Sequence, residues 1–136
     1  MDFLKSIAIA ASGLRAQAGR MRIISENIAN ADSTAASVGA EPYRRKMASF
    51  KTEMDRTLDA QIVALGRIKT DPSEFRVKHE PGHPAADQNG NVKYPNVNAL
   101  VEMTDLREAQ RSYEANINII GASRRMIQRT IEILKS

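Results

Sequence analysis

Residues 3–30 read FLKSIAIAASGLRAQAGRMRIISENIAN, and no other stretch constrains the fold as strongly. Apolar residues recur along it at alternating spacings of three and four, with only Ser25 breaking the pattern. This spacing places the side chains on one face of an α-helix and is typical of a coiled-coil-like stripe. The sequence therefore predicts a long amphipathic N-terminal helix. Its stripe consists of Leu4, Ile7, Ala11, Leu14, Ala18, Met21, Ser25 and Ile28.

Small residues surround this stripe, and two of them, Gly13 and Gly19, lie inside the predicted helix. Glycine within a helix costs roughly 1 kcal/mol relative to alanine. The helix is therefore intrinsically weak and needs support from other contacts. Because small residues let another backbone come close, we expect a second chain segment to pack tightly here.

A second long amphipathic helix is predicted over residues 99–135, beginning near Asn98. Its stripe contains Leu106, Tyr113, Ile117, Ile120, Ile127, Ile131 and Leu134. At 1.5 Å per residue the two helices measure roughly 40 and 55 Å, whereas a compact globule of this length is about 36 Å across. We therefore expect an elongated molecule, or one that completes its core by packing with other subunits.

The segment between the helices contains all five prolines and predicts short strands and turns. Strand-like stretches cover residues 43–50, 61–68 and 75–79, whereas residues 49–59 are also compatible with a helical turn or two. Asn89-Gly90 before Val92 predicts a hairpin turn. The predicted fold is mainly α with a small β element, in which the terminal helices pair as a coiled-coil-like hairpin. The predicted segments are 1–34, 35–95 and 96–136.

Composition favours helical contacts over a globular aromatic core. Hydrophobic residues make up 42% of the 136-residue chain, but only 4% are aromatic, and there is no cysteine for a disulfide or thiol chemistry. The N-terminus lacks the features of a cleaved secretory signal, so we expect that any export does not use one. The net charge of +4 is spread evenly, which argues against a nucleic-acid-binding face. The cluster Arg44-Arg45-Lys46 is expected to be solvated.

Residues 79–83, His-Glu-Pro-Gly-His, match the letters of the zinc-protease motif H-E-x-x-H. That motif functions on a helix, where both histidines share one face, and Pro81 with Gly82 breaks a helix here. We therefore interpret the segment as a turn with two exposed histidines. A zinc-dependent hydrolase that uses His79, Glu80 and His83 remains the alternative function. Glu102 and Asp105 are paired carboxylates that we expect on a solvated helix face.

Asparagines are frequent near the helix ends. Asparagine is a weak helix former but a good cap and cross-helix hydrogen-bonding residue. Two interpretations stay open for these residues, simple helix capping and hydrogen bonding between packed subunits. They are Asn27, Asn30, Asn96, Asn98, Asn116 and Asn118.

Both ends of the chain resemble one protein family. Ala11–Gln17 and Ile24–Asn30 resemble the N-terminal signature of bacterial flagellar basal-body rod proteins, and Glu108–Asn116 resembles their C-terminal signature. Pro42–Lys46 and Tyr94–Asn98 in the middle are similar to the proximal-rod branch of that family. The two terminal helices that contain these matches cover about half of the chain.

The resemblance implies a non-enzymatic structural protein without a cofactor or metal. It implies a subunit that is made in the cytoplasm, exported without a cleaved signal and assembled into a hollow, torque-transmitting rod in the periplasm. The implied partners are further copies of the chain, rod proteins of the FlgB and FlgF kinds, the FliE-like adaptor between the MS ring and the rod, and the flagellar export apparatus. Neither nucleic acid nor membrane insertion is implied.

The stripes and the resemblance together predict an assembly interface on both helices. Its residues are Leu4, Ile7, Ala11, Leu14, Met21, Asn27, Ile28, Asn30, Leu106, Tyr113, Asn116, Ile117, Ile120, Ile127 and Ile131.

Overall fold

The computed structural model describes residues 2–136 and contains two long helices separated by six short strands. The predicted fold class is confirmed, because the two terminal helices pack together around a small middle of antiparallel strands. The elements in chain order are α1 (Phe3–Ala29), β1 (Lys46–Met47), β2 (Phe50–Asp55), β3 (Ala60–Leu65), β4 (Lys69–Thr70), β5 (Arg76–His79), β6 (Asn91–Tyr94) and α2 (Ala99–Lys135).

Local capping sets the helix ends close to their predicted positions. Asp2 Oδ1 accepts a hydrogen bond from the Lys5 amide at 3.1 Å, which satisfies a free donor in the first turn of α1. Asn98 Oδ1 accepts from the amides of Leu100 at 3.1 Å and Val101 at 3.4 Å at the start of α2. The predicted capping role of Asn98 is therefore present in the structure.

The chain forms two compact units, and each takes part of both helices. The first unit combines α1 up to Met21 with β2, β3 and α2 from Arg107. The second unit combines α1 from Arg22 with β1, β4, β5, β6 and α2 up to Leu106. The division into segments 1–34, 35–95 and 96–136 stays a prediction.

In the first unit, α1 and α2 run antiparallel and approach closely at a glycine. A Cβ atom on Gly13 would lie 3.0 Å from Asn116 Nδ2, and Arg20 pairs with Glu108 at 3.6 Å. On another side of α1, buried Ser12 accepts a hydrogen bond from the Val63 amide at 3.2 Å. A Cβ atom on Gly19 would lie 3.0 Å from Leu65. Small α1 residues thus stand where α2 and β3 approach the helix.

Strands β2 and β3 form an antiparallel hairpin in which Phe50 lies opposite Leu65 and Asp55 lies opposite Ala60. The possible helical turn over residues 49–59 is therefore wrong. The alternation of Phe50, Thr52 and Met54 with charged residues has the period of two that a strand requires, and pairing with β3 satisfies it.

The second unit contains two further antiparallel pairs, β1 with β4 and β5 with β6. The predicted hairpin turn at Asn89-Gly90 lies within the β5–β6 hairpin, but 11 residues separate His79 from its partner Asn91, so the connection is not a two-residue loop. Gly90 instead ends a turn that begins at Asp87, with a φ of 78° that favours glycine. The core of this unit contains Ile23, Ile24, Val92 and Val97.

Neither helix within residues 2–136 combines the length and apolar character needed to cross a bilayer.

Candidate assembly interface

The predicted interface residues on α1 differ in accessibility. Leu4 is 70% exposed, whereas Ile7, Ala11, Leu14, Met21 and Ile28 are half-buried. Three fully buried residues, Ala16, Ile23 and Asn27, lie on the opposite face of α1. The predicted stripe is therefore separate from that buried face and keeps part of its apolar surface accessible.

The predicted residues on α2 follow a similar division. Ile117 and Ile131 are 45% and 48% exposed, whereas Leu106, Tyr113, Asn116, Ile120 and Ile127 are half-buried. Other large apolar side chains outside the predicted set are exposed on this helix as well. They are Leu100, Val101, Met103, Ile119, Met126, Ile133 and Leu134.

The end of α2 has no α1 residue beside it. In the first unit Gly13 lies against Asn116, and Arg20 pairs with Glu108. Continuing this antiparallel register places Phe3, the first residue of α1, near position 126 of α2. The last turns of α2 extend past that point and leave Leu134 81% exposed.

Asn27 is one predicted interface residue that the structure corrects. Its side chain is 1% exposed, and all four hydrogen-bonding positions of its amide are used within the chain. Oδ1 accepts from the Tyr43 hydroxyl at 2.7 Å and the Lys46 amide at 3.0 Å, while Nδ2 donates to the Lys46 carbonyl at 2.8 Å and to Glu102 at 3.3 Å. It is therefore an internal connector and is unsuited to bonding with another subunit.

Two other asparagines also bond internally. Asn30 Nδ2 donates to the Glu26 carbonyl at 2.8 Å near the end of α1. Asn96 accepts from the Arg45 amide at 2.8 Å and donates to the Asp71 carbonyl at 3.1 Å. The Asn30 bond agrees with the capping interpretation, whereas Asn96 bonds to the middle segment. Bonding of asparagines between packed subunits stays a prediction.

Glu102 forms the centre of a buried ionic network, contrary to the prediction of a solvated face. Its side chain is 1% exposed and accepts from Arg45 Nε. Arg45 also reaches Asp71 at 3.4 Å and Asp105 at 4.0 Å. Burial lowers the pKa of Arg45, but the bonds to Glu102 and Asp71 outweigh burial and raise it above its ordinary value. The guanidinium therefore stays charged and links the middle segment to α2 within the second unit. Glu102 extends the network to Asn27 of α1.

The basic cluster is thus incorporated into the fold, and its predicted solvation is wrong. The Arg44 guanidinium lies 4.2 Å from the centroid of the Phe75 ring and donates to the carbonyls of Asp71 and Ser73. Lys46 pairs with Glu26 at 3.2 Å. All three basic residues have partners within the chain, so their charges stabilise the fold.

Asp71 holds the turn that follows β4. The Ser73 amide donates to Asp71 Oδ1 at 2.8 Å. Bonds from the Ser73 amide and hydroxyl, helped by Arg45, lower the pKa of Asp71 below its ordinary value, although burial opposes the shift. The carboxylate is therefore ionised where it anchors the Arg45 side chain.

Comparisons with known proteins find matches for both the N-terminal and the C-terminal region of the chain. Residues 7–35 match the family model described as flagella basal body rod protein. Residues 88–133 match the model described as flagellar basal body rod FlgEFG protein C-terminal. The flagellar basal-body rod protein FlgC of Agrobacterium fabrum is 49% identical over 137 residues, covering 100% of this chain and 99% of that protein.

This chain belongs to the FlgC family of flagellar basal-body rod proteins. The FlgC protein of Bacillus subtilis is 37% identical and covers 99% of the chain and 100% of its own length. That of Salmonella typhimurium is 35% identical and covers 98% of both. The similarity thus includes the middle segment as well as the two helical signatures.

Residues 80–83 of this FlgC-family chain form a turn, as the sequence predicted, whereas His79 is the last residue of β5. His83 is half-buried, however, and its Nδ1 accepts from the Ala85 amide at 3.0 Å, while Nε2 lies 3.3 Å from Thr34 Oγ1. His79 Nδ1 lies 3.3 Å from Asn91 Oδ1. Residues 2–136 contain no group of three His, Cys, Asp or Glu side chains placed to hold a metal ion. The zinc-hydrolase alternative has no support from the FlgC relatives.

Sequence reasoning missed the Glu102–Arg45 pair, although one signal was present. Glu102 lies four residues before Leu106, so the apolar stripe of α2 extended by one turn passes through it. A carboxylate on such a stripe requires a buried partner. Its partner, Arg45, is 57 residues away in sequence, and no local pattern connects the two.

Proposed function

We propose that this chain is a structural subunit of the proximal rod that self-assembles through α1 and α2 into a hollow, torque-transmitting shaft. Membership of the FlgC family supports a place in the flagellar basal body together with other basal-body components. The proposal adds the periplasmic location, export without a cleaved signal, and contacts with FlgB-like, FlgF-like and FliE-like neighbours and the export apparatus.

The observation that carries the proposal is the apolar surface left open on both helices. Leu4 on α1 and Ile117, Ile131 and Leu134 on α2 are all exposed. Burying one such side chain fully contributes about 1.5–3 kcal/mol. Several in each subunit, repeated along a polymer, favour association strongly, and extended exposed apolar surfaces commonly mark interaction sites.

The proposed interface includes the predicted residues that keep accessible surface, and it omits Asn27 for the reason given above. It also includes the exposed residues at the end of α2, chiefly Ile133 and Leu134. These positions lie beyond the start of α1, where a helix from a neighbouring subunit supplies the missing contacts.

Charged substitutions on this surface test the proposal. We expect Ile117→Asp or Ile131→Asp to abolish incorporation into rods and motility, because each places a carboxylate in an apolar contact. The matched control is Asn118→Asp, which adds the same charge at an exposed position of α2 outside the apolar stripe. Circular dichroism verifies that each variant remains folded.

Basal bodies isolated from each strain provide the measurement. Rods containing normal amounts of Ile117→Asp and Ile131→Asp subunits, together with normal swimming, would refute the proposal. Loss of rods with Asn118→Asp as well would also count against it, since the effect would then not depend on the apolar surface.

A further inference from the structure

The hairpin formed by β2 and β3 has a free edge. Strand β2 pairs with β3 alone among the described residues, and its positions Phe50–Met54 are all exposed. No side chain or backbone group within residues 2–136 bonds to the backbone of Phe50, Thr52 or Met54 outside this pairing. An exposed edge presents unpaired amides and carbonyls that another strand can satisfy.

Two hydrogen bonds establish which residues direct their backbone groups to that edge. The Gly66 amide donates to the Ser49 carbonyl at 2.7 Å, so residues 49 and 66 form a hydrogen-bonded pair. The Val63 amide donates to Ser12 on α1, and therefore Thr52 and Val63 face each other without exchanging bonds. In an antiparallel ladder these two kinds of pair alternate. The amides and carbonyls of Phe50, Thr52 and Met54 consequently point away from β3.

We propose that β2 pairs antiparallel with β2 of a second copy of this chain, centred on Thr52. In this register Thr52 faces the partner's Thr52, Phe50 faces the partner's Met54, and Lys51 faces the partner's Glu53. All three outward residues form hydrogen-bonded pairs, and the two hairpins join into one four-stranded sheet. Charge complementarity therefore accompanies backbone complementarity.

The charges select this register over its neighbours. Centring the pair on Lys51 or Glu53 places like charges directly opposite each other, which destabilises a strand pair. Centring it on Met54 places Glu53 opposite Asp55 and again opposes like charges. A register centred between two residues places outward-facing residues of one β2 opposite inward-facing residues of the other, so the backbone hydrogen bonds cannot form. Lys51 and Glu53 already form an ion pair along the strand at 2.5 Å, so they lie on one face and are available for exchange across the axis.

The symmetry of the proposed β2–β2 contact determines how many subunits it can join. A two-fold contact uses the same patch on both copies and closes at two subunits, so it does not propagate along a helical polymer. The small area of one strand edge favours a weak, reversible association. The proposed pair is therefore a form of the subunit separate from the assembled rod, and it does not depend on the function proposed above.

A single cysteine tests the geometry in the full-length protein, which has no cysteine of its own. In the Thr52-centred pair the two residues 52 are about 5.5 Å apart between Cα atoms, within the range for a disulfide. Thr52→Cys should therefore form disulfide dimers about tenfold faster than Thr57→Cys at equal protein concentration. Thr57 is exposed in the turn of the same hairpin, five residues from the proposed axis. Equal rates for the two variants would overturn the proposal.

Reversing the charge at position 51 or 53 distinguishes an ion pair between two chains from the ion pair within one strand. In the Thr52→Cys background, Lys51→Glu alone or Glu53→Lys alone should slow disulfide formation, because like charges then meet across the axis. When the two variants are mixed, both glutamates of the Lys51→Glu chain face lysines of the Glu53→Lys chain. Each chain by itself still has two like charges at positions 51 and 53.

The mixed disulfide dimer should therefore exceed its random share and form at a rate near that of Thr52→Cys itself. Mass spectrometry distinguishes the mixed dimer from the two homodimers. A random distribution of the three dimers would refute the Thr52-centred register, as would unchanged rates for the separate variants.

Discussion

At the residue scale, the ion pair between Glu102 and Arg45 connects α2 to the middle segment in the second unit. Glu102 is buried, and both of its carboxylate oxygens accept bonds, one from Arg45 and one from Asn27. Burying a charge is unfavourable unless it is paired. Removing one partner leaves the other desolvated and unpaired, which makes the position sensitive to even a conservative change.

Glu102→Gln should lower the free energy of unfolding by about 2 kcal/mol. This loss of stability is smaller than for a fully buried ion pair, because Arg45 is partly exposed and still pairs with Asp71 and Asp105 in the variant. Urea unfolding monitored by circular dichroism measures the change. The control is Glu108→Gln, whose carboxylate is largely exposed and pairs with Arg20 at 3.6 Å. It should change stability by less than about 0.5 kcal/mol, and similar losses in both variants would contradict the network's role.

Asp71 gives the second residue-scale prediction, a dependence of stability on pH. The ordinary pKa of its carboxyl is 3.8, and the folded value is lower. Between the two values the unfolded chain holds more protons, so the free energy of unfolding rises with pH there. The contribution is complete above about pH 5 and is lost as the pH falls below 3.8 through the folded value.

Asp71→Asn removes this titration but leaves a side chain that also accepts from the Ser73 amide. The stability difference between the wild type and this variant should therefore be largest near pH 6 and shrink towards pH 2.5. Urea unfolding across that range measures it, with Glu114→Gln on the exposed face of α2 as control. A difference that stays constant with pH would show that the Asp71 charge contributes nothing.

At the element scale, Gly13 of α1 and Gly121 of α2 differ in how closely other atoms approach them. A Cβ atom on Gly13 would meet Asn116 of α2 at 3.0 Å, whereas one on Gly121 would meet only Arg125 Nη1 at 3.4 Å. Gly13 therefore permits a close helix approach in the first unit. Gly121 lowers helix propensity without relieving a comparable contact.

Gly121→Ala should raise the free energy of unfolding by about 0.5–1 kcal/mol, the propensity difference between the two residues. Gly13→Ala should gain less or lose stability, since Asn116 must move, and Gly13→Val should destabilise clearly. Thermal unfolding of the three variants under identical conditions provides the comparison. An equal gain from both alanine substitutions would mean that Gly13 has no packing role.

At the scale of the whole molecule, the folded subunit exposes the apolar C-terminal end of α2, where a neighbouring subunit is proposed to bind. The end of α2 past the start of α1 exposes Ile131, Ile133 and Leu134. A helix segment with few buried contacts opens at low free energy and exchanges its amide hydrogens quickly. Assembly is expected to bury the same segment between neighbouring subunits.

Hydrogen exchange should therefore be fast at residues 127–135 in a verified dilute monomer and slow at the same residues in isolated rods. Residues 107–123 of α2 serve as the internal reference, because they pack on α1 within the first unit and should be protected in both states. Equal protection of residues 127–135 in monomer and rod would contradict their proposed burial on assembly.

Local sequence was sufficient to predict the two helices, their ends and the family. Those features depend on local physics, because helical periodicity and capping involve residues three or four positions apart. The signatures at Ala11–Gln17 and Glu108–Asn116 are equally local and indicated the family that the comparisons established. The β2 strand was ambiguous because a short run fits both a helical turn and a strand.

Three-dimensional packing was needed to establish which helix face is used internally and which polar groups are buried. Asn27 and Glu102 are ordinary polar residues on amphipathic helices until packing removes water from them, after which each must find a partner. Those partners lie 16 to 75 residues away in the chain. The free edge of β2 likewise follows from the bond between Val63 and Ser12, which sets the direction of every backbone group in the hairpin. Such long-range pairings depend on three-dimensional proximity, which local sequence patterns do not specify.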